Sequence, residues 1–499
     1  MQRKTICRFQ AVKNYPQKKS SQENNFFRPF PYLSYHMFFT VSRTISGLFI
    51  MLLAGAVYFH LERILFSDAS FILTRIINTG SLQIQEHRYG SFITQGFPLL
   101  ASYSGMPLSA IVLLYSVSFN LFYLAVALLL VYTFREYGLA ILMSFYYVLY
   151  VSDTYFWTNN EVHQGIAWMF LFFGMISWLW KRRIRKVIFL PVFILLAFLA
   201  IFTHPLDAFP TLFLWTFFIF ENRWAAGHKE LIVYSILLLA ICFAKYLLST
   251  SVGQSHYDIE KLEGLQHLHT ESVFSALNST LSGEIIKRTL TQYWIIPILF
   301  MTGMVYAIKQ KKYANAVLVM VFSMAYFTAI VVTFREFTPF YMESQLMALS
   351  IITAALFVYY ALPAFKPQQA VMILVLIFMV RLAYIGHASK KWVERKEWIF
   401  LTLEDMRKKG IKKGLINEDE QTKKILIMSW GLPQESLLAS ALNGDDPQMT
   451  FISSTPEIIE KRLPERTSQI IGSFENLDNK KLNASYFNID TLGSYKLIN

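Results

Sequence analysis

The chain has 499 residues, 54% of them hydrophobic and 16% aromatic, with a formal net charge of +13 and a mean hydropathy of +0.38. Repeated apolar runs near 20 residues long exclude an ordinary soluble protein and indicate an integral membrane protein. The positive charge is not a nucleic-acid signal, because Lys and Arg gather in short segments between apolar runs, where they set orientation.

Residues 1–37 form a basic segment. Met1–Pro31 has no apolar core followed by a small-residue cleavage site, so it does not read as a cleaved signal peptide. Met37 directly precedes the first apolar run, and residues 1–36 read as a dispensable extension or a misplaced start. Residues 38–388 are expected to form the membrane domain, with about eleven spans at 38–60, 108–132, 138–156, 164–180, 187–204, 208–222, 230–249, 291–308, 314–334, 345–363 and 368–387. Basic clusters lie before the first span, at Lys181–Lys186 and at Lys309–Lys312. With this count all three fall on one side. The positive-inside rule makes that side cytoplasmic, with the N-terminus inside and the C-terminus outside. His204-Pro205-Leu206-Asp207 separates the fifth and sixth spans, read as a tight outer hairpin because Pro205 and Pro210 interrupt the helical pattern.

The first outer loop, 61–107, is long and structured. Leu65, Ala69, Ile72, Leu73 and Ile76 follow helical spacing and predict an interfacial helix near 67–79 that dips into the bilayer boundary. Arg75 follows Asp68 by seven residues, almost the same angular position two turns on. A second interfacial helix is expected at 91–103. Another outer loop is expected at 250–290; its His256, Asp258, His267 and His269 read as a solvated loop rather than a metal site.

Beyond Ser389 the chain turns polar. Residues 389–499 predict a small extracytoplasmic α/β domain. Its expected elements are a helix at 392–411, a buried strand at 424–430, a helix at 434–442, a strand at 449–453, a helix starting at Thr455-Pro456-Glu457, a strand at 468–474 and a terminal hairpin at 486–498. Cys7 and Cys242 are placed too differently to form a disulfide.

Polar residues unrelated to topology collect at the expected outer ends: Asp68, Asp153, Asn159, Asn160, Glu161, His163, His204, Asp207, Lys245, Arg335, Glu336, Tyr341, Glu343 and Arg381. An ionisable group within the apolar thickness costs roughly 2.5–3.5 kcal/mol, so it usually has a partner or a task. Plainer readings stand beside each. Ser67-Asp68 and Asn160-Glu161 are ordinary helix starts, and Lys245, Arg335 and Arg381 are able to snorkel to headgroups. No HExxH, zinc spacing, P-loop, GxGxxG or GxSxG motif is present.

This layout resembles the GT-C superfamily of membrane glycosyltransferases. Asp68 matches the acidic position near the start of the first outer loop, 67–79 and 91–103 match an interfacial helix pair, and 389–499 matches an exported domain. Glu161 with His163 resembles a second outer acidic motif, and Arg335 through Glu343 a late outer loop that contacts lipid phosphate. The resemblance implies transfer of a sugar from a polyprenyl-phosphate lipid to a glycan, lipid or protein acceptor, with inversion. Asp68 and Glu161 would be catalytic. Arg75, Arg88, His163, His204, Lys245, Arg335, Tyr341, Glu343 and Arg381 would bind substrate. Asp68 is followed by Ala69 where many members carry a second acid, so no cofactor is assigned, though a divalent metal stays open. A bacterial inner membrane is the expected location. Two other classes compete: a multispan transporter or lipid flippase, and a non-catalytic scaffold whose exported domain binds a partner.

Overall fold

The computed structural model describes residues 35–182, 184–222, 228–250, 270–333, 338–455, 466–472, 476–489 and 493–498. Sixteen helices lead from the start of this range into the tail: α1 (Tyr35–Tyr58), α2 (His60–Ile64), α3 (Ser67–Thr79), α4 (Phe92–Tyr103), α5 (Leu108–Leu128), α6 (Tyr137–Tyr146), α7 (Glu161–Lys181), α8 (Lys186–Thr203), α9 (Ala208–Asn222), α10 (His228–Thr250), α11 (Thr270–Leu277), α12 (Thr280–Thr291), α13 (Ile295–Lys309), α14 (Tyr313–Thr333), α15 (Pro339–Leu356) and α16 (Pro367–Lys408).

Among the described residues, α1, α5, α7, α8, α10, α14, α15 and α16 are long and apolar enough to cross a membrane, and the pair α12–α13, bent by 80°, makes nine if taken as one span. The chain is a helical membrane protein. Apart from α13, which has 15 residues and counts only with α12, two segments expected as spans are shorter. α6 has 10 residues and α9 has 15. At 1.5 Å per residue they reach about 15 and 22 Å, less than a hydrocarbon core of about 30 Å. All of α6 is buried, so protein and not lipid surrounds it.

The break between α8 and α9 is as expected. His204 is extended, at φ −157° and ψ 141°, and Pro205 opens a single 3-10 turn. Phe193 packs edge-on against Trp215, and Lys186 at the start of α8 pairs with Glu230 at the start of α10, so α8 and α9 run antiparallel. One end of the bundle holds the starts of α3, α7, α9 and α15. The other holds basic residues with local partners: Lys181 with Glu136, and Lys312 with Glu221.

The helices expected at 67–79 and 91–103 are α3 and α4, and Gly80 in the left-handed conformation (φ 59°) closes α3. Their environment differs from the expectation. Leu65, Ala69, Ile72, Leu73 and Ile76 are all buried in protein, because the tail covers α3. Asn483 of the tail bonds Asn78 and the Ile77 carbonyl, and Tyr486 reaches the Ser102 carbonyl at the end of α4.

The tail continues from α16, a helix of 42 residues that is both the last long apolar helix and the start of the tail. Its sheet is parallel, in the order β2 (Thr450–Ser454), β1 (Lys413–Asn417), β7 (Lys496–Leu497). Helices α17 (Glu420–Leu426) and α18 (Leu432–Leu442) connect β1 to β2. The strand expected at 424–430 is therefore the last turn of α17 and the loop after it. The terminal hairpin is also replaced: β6 (Gly493–Ser494) pairs with β3 (Arg466–Thr467), whereas β7 joins β1. Among the described residues of the expected strand 468–474, Gln469–Ile470 forms β4, paired with β5 (Leu477–Asp478), and Pro456 and Glu457 lie outside the described residues.

Candidate functional site

The first turn of α3, the loop before α4, the start of α7 and the turn after α8 converge at one end of the bundle. Glycine makes part of that convergence feasible. A Cβ on Gly90 would stand 1.9 Å from Thr203 Oγ1 and 2.9 Å from the Trp168 ring, and one on Gly165 would stand 1.8 Å from Asp207 Oδ2. Bare backbone at these two positions lets the elements close up.

Arg88 is at the centre. Its Nη1 donates to Glu161 Oε2 at 2.9 Å, both side chains largely buried. The loop carrying Arg88 is pinned from two sides, where Trp168 Nε1 donates to the Gly90 carbonyl and Lys245 Nζ to the Glu86 carbonyl, and the start of α4 is tied to α7 by Thr94 Oγ1 donating to Gln164 Oε1. Glu161 starts α7, where Asn160 caps the helix by accepting the Val162 amide.

Asp68 is partly buried and accepts the Trp157 indole N–H at 2.7 Å through Oδ2. Burial pushes its carboxyl up to about 6, and Glu161 adds to the rise; the Trp157 bond and Arg88 oppose it. Trp157 stacks on Tyr341 with 5.0 Å between ring centroids and meets Phe340 edge-on.

His204 and Asp207 approach from the α8–α9 turn. His204 accepts the Leu206 amide through Nδ1, so the neutral ring carries its proton on Nε2. Burial, with the positive charges of Arg88 and Lys245, holds its pKa well below the usual histidine range. Asp207 is fully buried, and neither carboxyl oxygen meets a hydrogen-bond partner among the described residues. Burial raises its pKa well above the ordinary range, against the attraction of Lys245 and Arg88.

Behind Trp157 is a cavity of about 40 Å³, lined by Arg63, Tyr123, Thr158 and His163 among others. His163 shares a hydrogen bond with Tyr146 through Nδ1. Its Nε2, Tyr123 Oη and Thr158 Oγ1 are buried with no partner among the described residues. The space exceeds the 10–15 Å³ or so that one water needs.

The structure thus brings together Asp68, Glu161, Arg88, His204 and Lys245, with His163 and Tyr341 reaching the same region through Trp157. Three other expected residues stand apart. Arg75 turns to Gln83 and to the Phe71 ring. Glu343 is spent inside the protein: Oε2 accepts the Ser152 and Thr154 amides and the Thr154 hydroxyl, and Oε1 accepts the Tyr293 hydroxyl. Arg381 is fully buried and donates to the carbonyls of Val148, Val151 and Gln292. Both therefore hold the loop after α6 in place. Arg335 lies outside the described residues.

Sequence reasoning noted Asp207 without assigning it to the site. It missed Arg63, whose guanidinium donates to Ser116, Asn120 and the Tyr155 carbonyl. Its signal was a cation directly after a long apolar run. Among the described residues no group of three His, Cys, Asp or Glu side chains is arranged to hold a metal ion. No family model, curated protein or solved structure matches this chain.

Proposed function

We propose that the chain is a membrane glycosyltransferase that takes a sugar from a polyprenyl-phosphate lipid at the outer face of a membrane. The observation that carries this reading is the meeting of Asp68, Glu161 and Arg88, from three separated segments, at the end of the bundle away from Lys181 and Lys312. Sugar transfer from a lipid phosphate needs a proton acceptor for the attacking hydroxyl and positive charge for the departing phosphate. Asp68 takes the hydroxyl proton as the acceptor oxygen bonds to the anomeric carbon. The bond from that carbon to the phosphate oxygen breaks, and its electron pair leaves with the lipid phosphate. Arg88 and Lys245 stabilise that phosphate, Arg88 with planar donors suited to its oxygens. Glu161 holds Arg88 in place.

A transporter would carry its ionisable groups near the middle of the bundle on broken helices. Here Arg381 and Glu343 are tied to loop backbone instead, and Asp68, Glu161, Arg88 and Lys245 gather at one end. An extracytoplasmic tail belongs to the same proposal.

The test is transfer of label from radiolabelled polyprenyl-phosphate sugars in membranes containing the chain, wild type against Asp68→Asn. The expected result is transfer by the wild type and its loss in the variant. Equal turnover would remove Asp68 from the mechanism, and no transfer from any such donor would remove the reading.

A further inference from the structure

Helix α3 begins without a cap of its own. Phe66 occupies the cap position and makes no side-chain bond to the helix, and Ser67 Oγ has no partner among the described residues. A helix start leaves several amides unsatisfied, and a carboxylate there both accepts an N–H and meets the positive end of the helix dipole. That carboxylate comes from the tail, 368 residues away: Glu435 Oε1 accepts the Ser67 amide at 2.6 Å.

The contact is built for position. Glu435 Oε2 accepts Arg395 Nη2 at 2.5 Å, with side-chain exposures of 0% and 2%. The same Arg395 donates to the Leu65 carbonyl at 2.6 Å and to the Leu426 carbonyl at 2.8 Å. One guanidinium and one carboxylate therefore grip the chain on both sides of Phe66. Gly431 lets the tail approach: a Cβ there would stand 2.4 Å from Ser67 Cα. The gripped residue is strained. Ser67 has φ 31°, a positive value unusual for a residue with a side chain. Such strain persists only where surrounding structure over-determines it. The next residue is Asp68.

We infer that Glu435, locked by Arg395, is a positioning residue for Asp68, so that the candidate site is complete only when the tail is docked on α3. The inference rests on the reading that Asp68 belongs to the site. It extends that reading by making the tail a structural part of the site.

The measurement uses the full chain in nanodiscs, labelled with 5-fluorotryptophan, and follows the fluorine resonance of Trp157, the donor to Asp68. Trp157→Phe assigns the resonance, and Asp68→Asn shows which part of its pH dependence belongs to Asp68. With Glu435→Ala the Trp157 resonance is expected to shift or broaden and its titration midpoint to move. Glu435→Gln, whose amide oxygen still accepts the Ser67 N–H, is expected to restore the line shape at least in part. Phe451→Leu, in the buried core of the tail, controls for loss of tail stability and is expected to leave the resonance unchanged. An unaltered Trp157 titration in Glu435→Ala overturns the inference, as does an equal change in Phe451→Leu. Neither outcome depends on sugar transfer, so failure of the proposed reaction and failure of the positioning role are read separately.

Discussion

The Trp157 indole N–H points at Asp68 Oδ2 from 2.7 Å, joining the loop before α7 to the first turn of α3. The donor favours the charged carboxylate, whereas burial and the nearby Glu161 favour the protonated one and win, so the group titrates near 6 instead of its ordinary 3.8. Burial supplies the largest part of that rise, and Glu161 and Trp157, both distant in the chain, adjust it in opposite directions.

A rate profile should carry that signature. Below about pH 6 Asp68 is protonated and unable to accept a proton, so transfer rises with pH through that value. Trp157→Phe removes a donor to the charged form and moves the rising limb to higher pH. Glu161→Gln removes a negative charge and moves it lower. The sign for stability is the reverse of a salt-bridged acid: the fold binds this proton more tightly than the unfolded chain, so stability falls as pH rises from about 4 to 6. Limbs that coincide in wild type and both variants would dissociate the profile from Asp68.

Gly165 tests the importance of Asp207. An added Cβ would stand 1.8 Å from Asp207 Oδ2 and 3.1 Å from the Ala200 carbonyl, so Gly165→Ala displaces the carboxyl. Overpacking of this kind typically costs about 1–3 kcal/mol. We expect a lower melting temperature and a transfer rate at least tenfold down, a loss of about 1.4 kcal/mol or more in transition-state stabilisation. Full activity in a folded Gly165→Ala protein would place Asp207 outside the machinery.

Arg381 and Arg88 should separate cleanly. Arg381→Ala leaves the carbonyls of Val148, Val151 and Gln292 without their donor. At about 1–3 kcal/mol for each unsatisfied buried group, the cost is on the order of 3 kcal/mol or more. Thermal unfolding in detergent should show it, while transfer per folded molecule changes little. Arg88→Ala should do the opposite, losing transfer at a smaller cost in stability. The converse pattern would exchange their roles.

Sidedness follows from the tail contacts. Asn483 bonds Asn78 and Glu435 bonds Ser67, so the tail and α3 must share one side of the membrane. Cysteines at Ser81 and Lys480 should therefore react together with an impermeant maleimide on intact cells, and one at Lys311 only after permeabilisation. Labelling of Lys311→Cys alone would invert the orientation.

Some of this was readable locally. The helical spacing of Ala69, Ile72, Leu73 and Ile76 marked α3 near its observed bounds, and Gly80 closes it in the structure. The apolar runs marked the long helices because burial in lipid needs length and hydrophobicity, which are properties of a segment. The run Ile425-Leu426-Ile427-Met428 misled for a related reason. A short apolar stretch fits a strand or a buried helix turn equally, and here Ile427 leaves the helix at φ 63°. The true strand Lys413–Asn417 is five residues long, and its identity depends on parallel pairing with β2 and β7.

By itself the amino-acid order determined a helical membrane protein, the helix pair α3 and α4 and a set of charges at helix ends, since periodicity and hydropathy act over a few turns. Only the tertiary structure decided which charges serve one another. Arg381 and Glu343 look like site residues in the chain yet hold backbone, whereas Glu435, unremarkable in its own helix, caps α3. A buried charge is satisfied by whichever group packs against it, and that group is chosen by contacts hundreds of residues apart.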